Sequence, residues 1–128
     1  MAFVVLTHAD VERLLSMEAC IGVMEEALAA LARGDLSQPL RSIYAPPGAP
    51  GVMAWMPAYR AGEDGVFGMK LLCVIPSNPS RGLDGHQGAV MLMDGVTGQL
   101  RALTRRFAPA VAQFAQAWAE SRWPHPPE

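Results

Sequence analysis

Lys70 is the only lysine in a chain of 128 residues, and it lies in one of the most apolar stretches, Gly65-Val66-Phe67-Gly68-Met69-Lys70-Leu71-Leu72-Cys73-Val74-Ile75. Strand alternation puts Lys70 on the side of Gly68, Leu72 and Val74, with Phe67, Met69, Leu71, Cys73 and Ile75 on the other. Both sides therefore read as buried. A buried ammonium is unfavourable unless an anion or several acceptors meet it, so Lys70 needs a partner, and a ligand is a serious candidate. Arg41 lies in a second strand-like run, Gln38-Pro39-Leu40-Arg41-Ser42-Ile43-Tyr44. An arginine fork and a lysine ammonium from adjacent strands would clamp a small carboxylate, one supplying bidentate geometry and the other a point charge. The plainer alternative is a surface Arg41 and a Lys70 paired with an internal carboxylate such as Asp94.

Two other residue types invite chemistry and carry less. His86 stands in the connection Pro76 to Gln87, beside glycines, where a histidine serves more often as a hydrogen-bonding loop residue than as a general acid or base. Within that connection Ser80 and Arg81 read as solvated. Cys20 and Cys73 are the only cysteines, and neither falls in a CxxC or Cys/His metal spacing. They read as small core residues in a reducing compartment, with no metal expected.

The elements that must position these residues follow from periodicity and punctuation. Phe3 to Leu6 reads as a short strand, and Thr7 with Asp10 three residues on can cap a brief helix ending near Leu15. Ser16 caps a longer helix, Met17 to Arg33, in which Val23, Met24, Ala27, Leu28 and Leu31 recur at helical spacing and Gly34 supplies the stop. Beyond Leu36 the runs Leu40 to Tyr44, Gly51 to Met56, Gly65 to Ile75, Gly88 to Met93 and Gln99 to Leu103 read as strands. Turn chemistry separates them, with Asp94-Gly95-Val96-Thr97-Gly98 closing a hairpin. Two helices followed by strands predict an α+β layer: helices packed on one face of a mixed or antiparallel sheet. Phe107, Val111, Phe114 and Trp118 predict a C-terminal amphipathic helix, and the proline-rich end after Ser121 should fray.

Composition bounds the function. The chain is 51% hydrophobic and 17% charged, with a mean hydropathy of +0.16, so some apolar surface is expected to meet a partner subunit or domain. A net charge of -2 and nine scattered arginines leave no basic footprint, which argues against nucleic acid. The apolar start at Phe3 to Leu6 is too short for a signal peptide or membrane span, so a cytoplasmic protein without membrane association is expected.

An ordered series of motifs adds to this reading. Pro39-Leu40-Arg41, Met53-Ala54-Trp55-Met56-Pro57-Ala58, Gly68-Met69-Lys70, Pro76-Ser77-Asn78, Gly82-Leu83, Gly88-Ala89-Val90-Met91-Leu92-Met93-Asp94 and Thr97-Gly98 together resemble the N-terminal lobe of the ornithine cyclodeaminase/mu-crystallin family over roughly residues 2 to 102. The resemblance implies NAD(P)-dependent chemistry on amino acids, ketimines or cyclic imines, as in ornithine cyclodeaminases, amino-acid dehydrogenases and ketimine reductases. It implies that Arg41 and Lys70 bind the substrate carboxylate, and it makes Lys70 the candidate catalytic residue. It also implies a homodimer built through this lobe.

The departures are as informative. Residues 1–102 read as a substrate-binding and dimerisation lobe and 103–128 as a divergent, partly helical tail. No GxGxxG occurs, and the length leaves no room for a Rossmann domain. Leu103-Thr104-Arg105-Arg106 sits where the family has a leucine-threonine-x-x-arginine helix start, so Arg105 or Arg106 is the candidate counterpart of a further substrate arginine. The expectation is a truncated family protein that binds a small amino-acid or imino-acid ligand, does not bind NAD(P) by itself and is inactive alone. The alternatives are a non-catalytic dimeric binding module and a gene remnant.

Overall fold

In the computed structural model the described residues are 3–105, and they form two helices and a seven-stranded mixed sheet. The strands are β1 (Val4–Leu6), β2 (Leu36–Ser37), β3 (Ser42–Tyr44), β4 (Val52–Arg60), β5 (Val66–Val74), β6 (His86–Asp94) and β7 (Leu100–Arg105); the helices are α1 (His8–Leu14) and α2 (Met17–Arg33). The order across the sheet is β1-β7-β6-β5-β4-β2, with β3 also on β4. Only β1 and β7 run parallel; the other pairings are antiparallel. The α+β class predicted above is the class observed. The predicted C-terminal helix lies outside the described residues.

Local chemistry explains the helices. Thr7 and Asp10 form a reciprocal capping box at α1, Ser16 Oγ accepts from the Ala19 N–H at α2, and α2 ends where Gly34 turns left-handed at φ 84°. The 17 residues of α2 span about 25 Å, close to the width of six strands spaced about 4.8 Å apart. That length matters because β1 and β2 lie on opposite edges of the sheet. α1 approaches β1 and β7, α2 approaches β2, and Arg60 Nη2 at the end of β4 bonds Glu26 Oε1 on α2 at 2.8 Å.

Several sequence expectations change. Arg41 precedes β3 and lies outside any strand, and β3 pairs with β4, so Arg41 and Lys70 do not come from adjacent strands. β4 lies between them. The reason is Pro39 together with one extra residue: from Ser37 to Ser42 the chain advances five positions while its partner runs four, from Tyr59 to Trp55. That slack leaves β4 unpaired on this side around Pro57, which is where a residue without an N–H can sit in a strand. β4 is longer than expected, β7 reaches Arg105, and β2 was not anticipated. His86 starts β6 instead of lying in a loop. The connection before it is built around a 3-10 turn, Asn78–Arg81, with Asn78 buried and its Nδ2 donating to the Asp84 carbonyl at 3.0 Å.

Both sides of β5 were expected to be buried, and the structure corrects this. Leu72 is buried, Lys70 is half-buried, and Phe67 and Leu71 are exposed. Among the described residues the buried apolar side chains are Ala30, Ala54 and Leu72. Exposed apolar side chains lie on the sheet, among them Ile43, Met53, Phe67 and Leu71, and on the helices, among them Leu14, Val23, Leu28 and Leu31.

Candidate functional site

The turn Ala61 to Gly65 sets Arg60 opposite Val66, and from there the β4–β5 register runs without a break to Val52 opposite Val74. Met56 therefore faces Lys70, and on the other side Lys70 faces Val90, which faces Thr104. Opposed residues in antiparallel strands share a face. Met56, Lys70, Val90 and Thr104 thus form one row on one face of the sheet. Arg41 lies one step beyond the Ser42–Trp55 pair, at the β4 position of Met56, so its backbone is about two strand spacings, roughly 10 Å, from that of Lys70.

Two long cationic side chains can narrow that gap, and the Arg41 charge acts on Lys70. The Lys70 ammonium titrates below the ordinary lysine range, first because burial removes water from it and second because the Arg41 guanidinium is near. Both causes disfavour the charged form. A carboxylate placed between the two groups would reverse the second and offset the first, which is the physical content of an anion-receptive pair.

Asp94, the alternative partner considered for Lys70, is committed elsewhere. Its Oδ1 accepts from the Val96 N–H at 3.0 Å, the Thr97 N–H at 2.8 Å and the Thr97 hydroxyl at 3.0 Å, and its Oδ2 lies 3.7 Å from Arg101 Nη1. These contacts, led by the Thr97 N–H, hold the carboxyl below its usual range. His86 is exposed and opposite Val74, four residues along β6 from the Lys70 row and so about 13 Å away. Arg105 falls opposite Ala89, on the row of Leu71 and not on that of Lys70. No cluster of three or more His, Cys, Asp or Glu suited to a metal occurs among the described residues.

Met56 is the site residue that sequence reasoning passed over, having assigned it to core packing. It is the β4 register partner of Lys70 and follows Trp55, the partner of Ser42 next to Arg41, and the signal was available. Counting outward from the Ala61 to Gly65 turn places it opposite Lys70.

Fold and site together define an α+β lobe with Lys70 on one sheet face and the charge of Arg41 acting on it. The chain belongs to the ornithine cyclodeaminase/mu-crystallin family, whose family model matches residues 1–107. Among solved structures it is similar to the Thermococcus litoralis Δ1-pyrroline-2-carboxylate reductase in complex with NADH and L-proline, at 26% identity and a TM-score of 0.78, over 91% of this chain and 35% of that one. A lysine cyclodeaminase solved for recognition of L-lysine, L-ornithine and L-2,4-diaminobutyric acid matches at 31% identity and a TM-score of 0.73, over 94% of this chain and 38% of that one. An archaeal alanine dehydrogenase dimer with bound NAD matches at 28% identity and a TM-score of 0.72, over 82% and 31% respectively. The chain spans about a third of the length of these structures. No curated protein sequence matches it.

The described residues do not fit a dinucleotide. A pyrophosphate is held by a glycine-rich turn between a strand and a helix N-terminus. Among the described residues the strand that leads into an α-helix N-terminus is β1, and the Thr7 hydroxyl and N–H there are bonded within the capping box.

Proposed function

We propose that residues 1–102 act as the substrate-binding and dimerisation lobe of a cyclodeaminase-like oxidoreductase, with Arg41 and Lys70 receiving the carboxylate of a small amino or imino acid. One observation carries the reading: the single lysine of the chain, part-buried on a sheet face, has its pKa lowered by burial and further by the nearby Arg41. The L-proline bound by the T. litoralis reductase and the L-lysine and L-ornithine recognised by the lysine cyclodeaminase are carboxylates of this class. In this reading Lys70, which also receives the carboxylate, is our candidate catalytic residue. Hydride transfer needs a nicotinamide presented by another domain, because the described residues offer no glycine-rich turn leading from a strand into a helix to hold one. Alone, this lobe binds and does not turn over.

Calorimetry with L-proline, L-ornithine and pyrroline-2-carboxylate tests the reading on the wild type, Lys70→Met and Arg41→Ala. Binding by the wild type with loss in both variants supports it. Equal affinity in all three proteins removes the pair from the site.

We further propose that the lobe self-associates through the opposite sheet face. Met53, Phe67 and Leu71 share that face by register and are exposed, and Trp55 and Met69 continue it. Exposed apolar surface of this extent usually meets a partner. Light scattering of the wild type and of Leu71→Glu should give a dimer and a monomer respectively; a wild-type monomer at micromolar concentration would remove the assembly.

A further inference from the structure

The strands of the described residues contain two glycines, Gly68 in β5 and Gly88 in β6. Gly88 is required by its surroundings, since a Cβ there would collide with the Leu71 carbonyl oxygen and come within 2.7 Å of the Leu72 Cβ. Gly68 has no such reason. Among the described residues a Cβ at Gly68 would meet only Leu92 Cδ2, at 3.8 Å, an ordinary van der Waals contact. Its φ is not positive, and the β4–β5 and β5–β6 registers pass through it without a bulge. A glycine in the middle of a central strand weakens that strand, and where no bulge or tight packing explains it, it marks a place where something comes close to the backbone.

Its position says what comes close. Gly68 shares the face of Lys70 and is next to it along β5, opposite Ala58 on β4 and Leu92 on β6. On the other side of Lys70 the next row is Ala54, Leu72 and Gly88, in which Ala54 and Leu72 are buried. That direction is filled. Towards Gly68 and Ala58 the surface is only half-buried, so that is the direction along the row in which the carbon skeleton of a carboxylate held between Arg41 and Lys70 would extend.

We infer that Gly68 is a specificity-determining residue: the missing side chain is the space into which the carbon skeleton of a carboxylate ligand extends from the Arg41–Lys70 pair, and a side chain at 68 would limit that skeleton to the smallest acids. This inference rests on the pair being a carboxylate site and adds to it which direction the ligand points and which backbone it touches.

The test compares Gly68→Ala and Gly68→Val with the wild type, using acetate, glycine, L-proline and L-ornithine as probes, each followed by chemical-shift titration and each protein by thermal melting. The expected result is a melting temperature equal to or above wild type in both variants, because a side chain that fits strengthens a strand. Acetate and glycine should bind within about twofold of wild type, whereas L-proline and L-ornithine should weaken more than tenfold in Gly68→Val and by a smaller factor in Gly68→Ala. Equal loss across all four probes, or no loss for the larger two, overturns the assignment of Gly68. A melting temperature well below wild type in the alanine variant overturns it as well, because the glycine would then be structural. The underlying pair is judged separately on Lys70→Met: undiminished binding of acetate and L-proline there, or no binding of any probe by the wild type, ends the carboxylate reading itself.

Discussion

Two polar groupings stand on the same face of this sheet and are built on opposite logic. At the β6–β7 turn, Asp94 collects three donors from Val96 and Thr97 and faces Arg101, so the negative charge is answered inside the turn that it shapes. At the Lys70 row, burial and the nearby Arg41 guanidinium both disfavour the charged form of Lys70. Folding explains the first arrangement, because a carboxylate that accepts N–H groups specifies a tight turn. It does not explain the second. A half-buried ammonium whose charged form is disfavoured by burial and by Arg41 is one that a carboxylate ligand would favour.

The largest expected effect is on binding. Replacing Lys70 by Met keeps most of the side-chain volume and removes the charge, so affinity for L-proline should fall by about 30-fold or more, the scale of losing one member of a hydrogen-bonded charge pair, about 2 kcal/mol or above. The same variant should melt no lower than wild type at neutral pH, since a poorly hydrated charge beside Arg41 has gone. In the Asp94 turn the same type of change has the opposite outcome. Asp94→Ala should lower the melting temperature by several degrees and leave ligand affinity within about twofold, because the group acts on the turn and on nothing bound. If Asp94→Ala abolishes binding, or Lys70→Met unfolds the lobe, the contrast between the two regions fails.

The Asp94 turn also has a pH signature with a definite sign. Its carboxyl titrates below the unfolded value in the folded chain, so its contribution is fully present above that unfolded value and is lost as the pH falls through the lowered one. Melting curves of wild type and Asp94→Asn should therefore converge on acidification and separate towards neutrality. Parallel curves throughout would show that the turn bonds do not depend on the charge.

Much of the fold was legible because its signals are local. Ser16 and Gly34 bracket α2 at the residues where the structure begins and ends it, the Thr7–Asp10 box starts α1, and Asp94 to Gly98 closes the hairpin. What could not be read was whatever depends on pairing between distant segments. β2 is two residues long and exists because Leu36 and Ser37 meet Arg60 and Tyr59, and β1 joins the sheet only through β7 at the far end of the described chain. The site divides in the same way. Lys70 stood out because a lone lysine in an apolar run is conspicuous, and Arg41 because of its motif. That a whole strand lies between them, with Met56 at the midpoint, depends on β3 choosing β4 as its neighbour. Nothing in the run from Pro39 to Tyr44 announces that choice.

The smallest effect is the most specific to the like-charge pair. Lys70 titrates below its unfolded value when folded, so between the lowered value and the ordinary one the unfolded chain binds more protons than the folded chain. Stability then rises with pH across that window, and below it the cost of the charged form is present in full. Lys70→Met removes this dependence. The difference in melting temperature between variant and wild type should accordingly favour the variant at pH 7.5 and shrink towards pH 10.5, by only a few degrees because a half-exposed group is screened by solvent. Arg41→Met in an otherwise wild-type chain should flatten the same slope in part, since burial, the larger cause, remains. A carboxylate ligand should invert the trend: by favouring the ammonium it makes binding take up a proton in this window, which calorimetry in two buffers of different ionisation enthalpy measures directly. Proton release on binding, or none at any alkaline pH, would mean that the ligand's charge is met away from Lys70.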